Sequence, residues 1–288
     1  MSESNINAVG IVGAGTMGSG IAELVASAGK SVVLLDIEKG IVEGAIAKIE
    51  KSLGRLARRG KLEEEQVPLI VSRIRPTEDY GDFSGADIVI EAASEDMDLK
   101  KAVFAEIEEN TGQSSIIATN TSTLSVTELA MSTSRAEKVI GIHFFNPAPI
   151  MKLVEVIGTA KTSPETLERA MEFVRGLDKY PVLAKDRAGF VVNRILLPMI
   201  NEAIFALDEG IATAAEIDNA MKLGANHPIG PLALADLVGL DVTLSVLNVL
   251  YAEYGDPKFR PAPLLREMVR AGHLGRKTGK GFFEYGRR

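Results

Sequence analysis

Short apolar runs at residues 8–12, 31–35, 88–90, 116–118, 139–142 and 153–157 alternate with longer stretches whose apolar residues recur at three and four positions. Strand and helix in turn predict βαβ units and an α/β domain with a mainly parallel sheet over residues 1–185. Residues 38–65 break the rhythm. They are long, helical in propensity and charge-rich, with Arg55, Arg58, Arg59 and Lys61 near a turn, and predict a helical hairpin projecting from the sheet. A solvated face accounts for that charge unless a ligand is found for it. From Asp186 the strand rhythm stops, and Phe190, Val191, Ile195, Leu196, Met199, Ile200, Ala203 and Leu207 form a helical stripe that ends at Gly210. Further helices are predicted over 213–222, 232–252 and 263–272, so residues 186–288 make a smaller all-helical domain. No internal repeat or low-complexity tract interrupts this plan.

Composition narrows the partners. A chain of 288 residues is comfortable as two domains, and 46% hydrophobic with 25% charged residues is ordinary globular usage. The net charge of −7 disfavours a nucleic-acid partner, whose affinity for protein comes from clustered Lys and Arg, although single nucleotides need only a local site. Cysteine is absent, which removes disulfides, thiolate metal ligands and a thiol nucleophile. The first apolar run is too short for a signal segment, and no run reaches the ~20 apolar residues of a membrane span. A cytoplasmic protein with no membrane association is expected.

Gly13-Ala14-Gly15-Thr16-Met17-Gly18 follows the first predicted strand and opens a helix, the context in which a G-x-G-x-x-G string carries meaning. Gly13 suits a tight turn, Gly15 lets the backbone approach a pyrophosphate, and Gly18 permits close helix–strand packing. Asp36 follows the second strand, eighteen residues beyond Gly18, where a carboxylate can accept from the adenosine ribose hydroxyls. That predicts a Rossmann-type domain and NAD, with NADP disfavoured by a carboxylate facing a 2′-phosphate. A ligand-free glycine turn and an FAD site are the alternatives.

Hydride transfer from an alcohol needs a group to take the hydroxyl proton. A cysteine-liganded zinc is excluded, and the Tyr254–Lys258 spacing is interrupted by Gly255 and Pro257. Of the three histidines, His143 ends a predicted strand, on the sheet edge where α/β proteins bind ligands. Glu155 lies in the next strand pattern between apolar neighbours, where a carboxylate needs a partner. The two read either as an oriented imidazole–carboxylate dyad or as a core histidine and a solvated glutamate.

His143-Phe144-Phe145-Asn146-Pro147 with Glu155, then Asp186-Arg187-Ala188-Gly189-Phe190-Val191-Val192-Asn193-Arg194, resembles the 3-hydroxyacyl-CoA dehydrogenase family. Gly13 to Gly18, Glu95, Lys100, Asn120-Thr121-Ser122, His227-Pro228, Gly230-Pro231 and Gly275 to Gly279 fall in the same order, so the resemblance spans nearly the whole chain. It implies reversible NAD-dependent oxidation of a (3S)-3-hydroxyacyl-CoA. The length is similar to that of the short bacterial members acting on 3-hydroxybutyryl-CoA. By the same resemblance His143 is the general acid/base, Glu155 its orienter, and Ser122 and Asn193 partners of the reacting oxygen. Thr16, Met17, Glu95, Lys100, Asn120, Ser122, Asn146 and Lys277 join the glycines and Asp36 at NAD, and Ser52 and Arg59 meet CoA. Arg59 stands where relatives look to have lysine. The resemblance also implies chemistry in a cleft between the domains and a homodimer through the helical domain. A dehydrogenase of free 3-hydroxy acids and a non-catalytic, crystallin-like NAD-binding protein are the rival readings.

Overall fold

The computed structural model describes residues 6–286. In chain order its elements are β1 (Ala8–Val12), α1 (Thr16–Ser27), β2 (Ser31–Leu35), α2 (Lys39–Arg58), α3 (Gln66–Val71), β3 (Ile74–Thr77), β4 (Ile88–Glu91), α4 (Met97–Asn110), β5 (Ile116–Thr119) and α5 (Val126–Ala130). Then come β6 (Val139–Phe144), β7 (Leu153–Gly158), α6 (Pro164–Gly176) and β8 (Tyr180–Lys185). The helices α7 (Val192–Asp208), α8 (Ala214–Gly224), α9 (Pro231–Val238), α10 (Leu240–Tyr254) and α11 (Pro263–Arg270) complete the chain.

The strands form one eight-stranded sheet in the order β3-β2-β1-β4-β5-β6-β7-β8. The first six have the order of a dinucleotide-binding Rossmann sheet, with the topological switch point between β1 and β4. All neighbours are parallel except β6 and β7. That one reversal places residues of β7 directly across from the end of β6. Inner strands β4, β5 and β6 are buried at every position, as their unbroken apolar runs require.

The expected hairpin is present, but it does not stand clear of the sheet. Val42, Ala45, Ile49 and Leu53 recur at helical spacing along α2 and are buried in the main core, and the return arm, α3, begins only at Gln66. Two strands, β3 and β8, escaped the sequence pattern.

The chain divides into two compact units, one ending at Arg187 and one beginning at Ala188, rather than after residue 185. Asp186 explains the shift, because its carboxylate accepts from Ser125 Oγ and from the Val126 and Thr127 N–H groups at the start of α5, which holds it to the first unit. In the second unit, Phe190 precedes α7 with φ +45° and Val191 caps it, so the expected stripe begins later. The pattern read as one helix over 232–252 is two, α9 and α10, bent by 98° at Gly239, whose φ of +106° no helix can contain. Leu197, Ile200, Ile204, Leu232, Leu247 and Leu250 form this unit's separate core. No single helix among the described residues is long and apolar enough to cross a membrane.

Candidate active site

The loop from β1 into α1 is shaped by close approach. Gly13 has φ +99° and its N–H donates to Leu35 O, while a Cβ at residue 18 would fall 1.7 Å from Gly13 O. A Cβ on Gly15 would meet nothing within 4 Å, so the space above it is open. Helix α1 has no side-chain cap and no acidic residue in its first turn, which leaves its N-terminal N–H groups directed at that space. Asp36 lies just past β2, where Oδ2 accepts from Ala14 N–H at 2.7 Å and Oδ1 from Ile37 N–H at 2.8 Å. The loop, the uncapped helix and the carboxylate fit the pyrophosphate and adenosine ribose of NAD. Thr16 opens α1, and the partly buried side chain of Met17 packs against the core.

Along the same sheet edge a polar chain runs from the core outward. Glu91 is fully buried at the end of β4; its carboxylate accepts from Lys100 Nζ at 2.6 Å, Ala93 N–H at 2.7 Å and Thr119 Oγ1 at 2.7 Å. Lys100, expected at the nucleotide site, is engaged from within the protein. It is 1% exposed, and its ammonium is held by Glu91 and, at 3.3 Å, by Glu95. It therefore supports the site from beneath. Glu95 Oε1 in turn accepts from Thr121 Oγ1 at 2.6 Å, Ser122 N–H at 2.9 Å and Ser122 Oγ at 3.2 Å. Burial pushes the Glu95 carboxyl upward, but the Lys100 ammonium and the donors of Thr121, Ser122 and Thr123 outweigh it and hold the group below the usual carboxylate range. Ser122 is thus fixed through Glu95 and Lys100 to Glu91. Glu91 was missed by sequence reasoning, since a glutamate closing an apolar run reads as the point where a strand reaches solvent.

His143 and Glu155 are register partners across the antiparallel β6–β7 pair. Nδ1 of His143 lies 2.8 Å from Glu155 Oε2, with the carboxylate fully buried and the imidazole 6% exposed. A carboxylate only accepts, so the ring presents Nδ1–H to Glu155 and directs its basic Nε2 to the opposite side. Phe145 packs on the imidazole at 4.6 Å between centroids. Asn120, at the end of β5, accepts from Phe144 N–H at 2.9 Å and so ties the neighbouring strand to the residue beside His143. Asn146 follows in the exposed loop after β6.

Ser52 and Arg59 lie on α2. Ser52 Oγ donates to Glu23 Oε1 at 3.0 Å, and Arg59 is the exposed C-cap. Burial pushes Glu23 upward, against the opposing pull of Ser52 and Arg55.

Asn193 and Lys277 belong to the second unit. Asn193 is the second residue of α7, and the guanidinium of its neighbour Arg194 lies over two aromatic rings that contact each other, 3.8 Å from the Tyr254 centroid and 4.4 Å from that of Phe259. Tyr254 is pinned in turn by donating to Ala188 O. The stack anchors the first turn of α7, which carries Asn193. Lys277 was expected at the nucleotide, whereas its ammonium here sits 2.6 Å from both carboxylate oxygens of Asp241. Tyr254 and Lys258 form no pair, since Lys258 binds Asp256.

The 3-hydroxyacyl-CoA dehydrogenase NAD-binding domain description matches residues 8–187, and that of the family's C-terminal domain matches residues 189–285. The chain belongs to the 3-hydroxyacyl-CoA dehydrogenase family. It is 50% identical over 275 residues to the 3-hydroxybutyryl-CoA dehydrogenase of Clostridioides difficile, covering 96% of this chain and 98% of that one. The 3-hydroxybutyryl-CoA dehydrogenase of Bradyrhizobium diazoefficiens is 46% identical, over 97% of this chain and 96% of its own. Among solved structures, the (S)-3-hydroxybutyryl-CoA dehydrogenase of Ralstonia eutropha superposes with a TM-score of 0.95 at 52% identity, covering 98% of this chain and all of that one.

The buried Glu91–Lys100 pair makes the polar chain testable. Glu91→Gln takes the closer of two carboxylates from an ammonium that is almost fully buried, leaving it Glu95 at 3.3 Å, and is expected to destabilise the first unit by up to about 3 kcal/mol. Adding Lys100→Met removes that buried charge and should recover much of that loss, which thermal unfolding of the single and double variants measures.

Proposed function

We propose that this chain catalyses the NAD-dependent, reversible oxidation of a (3S)-3-hydroxyacyl-CoA to the 3-oxoacyl-CoA, with the four-carbon 3-hydroxybutyryl-CoA as its substrate. The observation that carries the proposal is the buried His143–Glu155 pair at the carboxyl edge of a dinucleotide-binding sheet. The nicotinamide of bound NAD supplies the hydride acceptor. His143 Nε2 removes the hydroxyl proton in the oxidative direction and returns it in the reductive one. Glu155 holds the ring in the Nδ1–H tautomer and stabilises the imidazolium formed when Nε2 takes the proton. Ser122, whose hydroxyl would turn from Glu95 Oε1 to the substrate while its N–H stays on Glu95, and Asn193, through its amide, are proposed to donate to the substrate oxygen as it gains alkoxide character; neutral donors stabilise that charge without competing for the proton. The backbone of residues 13–18 holds the pyrophosphate and Asp36 the adenosine ribose, with Asn120 and Asn146 near the nicotinamide end. Ser52 and Arg59 are assigned to CoA. Lys100 and Lys277 are assigned to the nucleotide site, where the protein alone holds their ammonium groups on Glu91 and Glu95 and on Asp241.

The reaction is placed in the cytoplasm, and the chain is proposed to act as a homodimer joined through its second unit. That unit exposes Ile195, Leu223, Leu237, Val242 and Tyr251, large apolar side chains that a partner copy would cover. Equilibrium sedimentation should return twice the chain mass, and a monomer at micromolar concentration would remove the dimer.

His143→Ala is expected to lower turnover of acetoacetyl-CoA with NADH by about 10²- to 10⁴-fold, the usual weight of a general acid, while NADH affinity stays near that of the parent. Glu155→Gln should lower kcat less, since the base survives without its orienting charge. Unchanged turnover in His143→Ala removes the assigned role, and equal turnover of free acetoacetate removes the thioester requirement.

Asp36 supports the glycine loop as well as facing the ribose, so the coenzyme test needs a side chain that keeps an acceptor. Asp36→Asn retains an oxygen for Ala14 N–H but loses the charge that repels a 2′-phosphate. The ratio of kcat/KM for NADPH to that for NADH should rise by about tenfold, the equivalent of 1.4 kcal/mol; an unchanged ratio counts against the ribose contact.

A further inference from the structure

Helix α2 segregates its charges. At 3.6 residues per turn, residues 41, 44, 48, 52, 55 and 59 fall within about 80° of one another, forming a flank beside the buried Val42, Ala45, Ile49 and Leu53. This flank carries Lys48, Ser52, Arg55 and Arg59 and no acidic residue, whereas Glu43 and Glu50 lie on the other side of the helix. Its upper end closes a cavity of about 520 Å³ lined by Ala14, Gly15, Thr16 and Ser19 of the glycine loop and α1, facing Gly40, Gly44 and Lys48 of α2. Lys48 is the one cation lining that cavity, and among the described residues it makes no ion pair or hydrogen bond. The cavity opens above Gly15, where a Cβ would meet nothing, and the small Gly40 and Gly44 keep its far wall low. Further along the groove, Ser19 gives way to Glu23, which is joined to Ser52.

We propose that Lys48 binds the diphosphate of a nucleotide ligand, extending the Ser52–Arg59 flank into the cavity at the glycine loop. The backbone N–H groups of residues 15 and 16 present fixed partial charge to one side of that cavity, and Lys48 supplies a mobile full charge from the other. NAD and CoA both carry an adenosine diphosphate, and the inference rests on the dehydrogenase reading above for the presence of either.

The experiment compares the parent, Lys48→Ala, Lys48→Arg and the solvent-facing control Lys51→Ala as full chains. It measures KM at saturating NADH for acetoacetyl-CoA and for acetoacetyl-pantetheine, which lacks the diphosphate, and separately the dissociation constant of NADH without thioester. Lys48→Ala is expected to raise either the KM for acetoacetyl-CoA alone or the NADH dissociation constant by about fivefold, as for a largely exposed charge pair. The first result assigns the diphosphate of CoA and the second that of the dinucleotide, and in both Lys48→Arg should restore affinity while Lys51→Ala has no effect. Parent-like values in both arms, or an equal rise for the two thioesters, overturn the proposal. A parent enzyme that turns over neither thioester would end the dehydrogenase reading instead, and the NADH arm would still test Lys48.

Discussion

A carboxylate buried to zero exposure inside a sheet is intolerable without a partner that shares its charge or its proton, and the site is organised around meeting that demand for Glu155. The sheet runs parallel until β6, and the single reversal into β7 sets residue 155 directly opposite residue 143. The register is fixed by the flanking apolar residues, because a slip of one position would turn Val154 and Val156 to the wrong faces. Packing of ordinary aliphatic side chains therefore decides where the imidazole points. Removing the carboxylate would take away the acceptor that holds the proton on Nδ1 and would allow the ring its other tautomer.

The second polar chain follows the same logic with different chemistry. Glu91 ends β4, is as deeply buried as Glu155, and is met by an ammonium rather than an imidazole. The Glu91–Lys100–Glu95 chain reaches Ser122 and fixes it, whereas the His143–Glu155 pair is the one proposed to exchange a proton. In the proposed mechanism, two buried carboxylates on one sheet edge thus divide positioning from proton transfer by the identity of the partner beside each.

The sequence made the inner sheet plain and hid its margins, for one physical reason. Strands buried on both faces must be apolar throughout, and β1, β2, β4, β5, β6 and β7 all announced themselves as such runs. The two strands missed are the two edges: β3 includes Arg75 and Pro76, and β8 includes Pro181 with Tyr180 and Leu183 exposed. The break at Gly239 was hidden because apolar residues continue on both sides of it, and periodicity does not register a change of direction. In the site, Gly13 and Asp36 occupy positions that topology specifies, whereas spacing left His143 and Glu155 open between a dyad and a core histidine with a solvated glutamate, because it does not show the antiparallel register that sets them face to face. For Lys100, spacing places the residue near the site without saying that its charge is shared with the buried Glu91 and with Glu95. Arg194 was obscured for the complementary reason, since its aromatic partners Tyr254 and Phe259 lie some sixty residues away in the chain.

An acidic protein that handles two polyanionic ligands has to do so by local means. The net charge of −7 sets a repulsive background for phosphate, but in physiological salt that background fades over about 8 Å. Within that distance the outcome belongs to whatever lines the groove: amide N–H groups at an uncapped helix end, and a helix flank from which glutamates are absent. The same screening explains why a nucleic acid is disfavoured while a dinucleotide is accepted. A duplex would need cationic surface over many phosphates at once, whereas a diphosphate needs one short stretch, and α2 supplies that stretch with a flank that carries Lys48, Ser52, Arg55 and Arg59 and no glutamate.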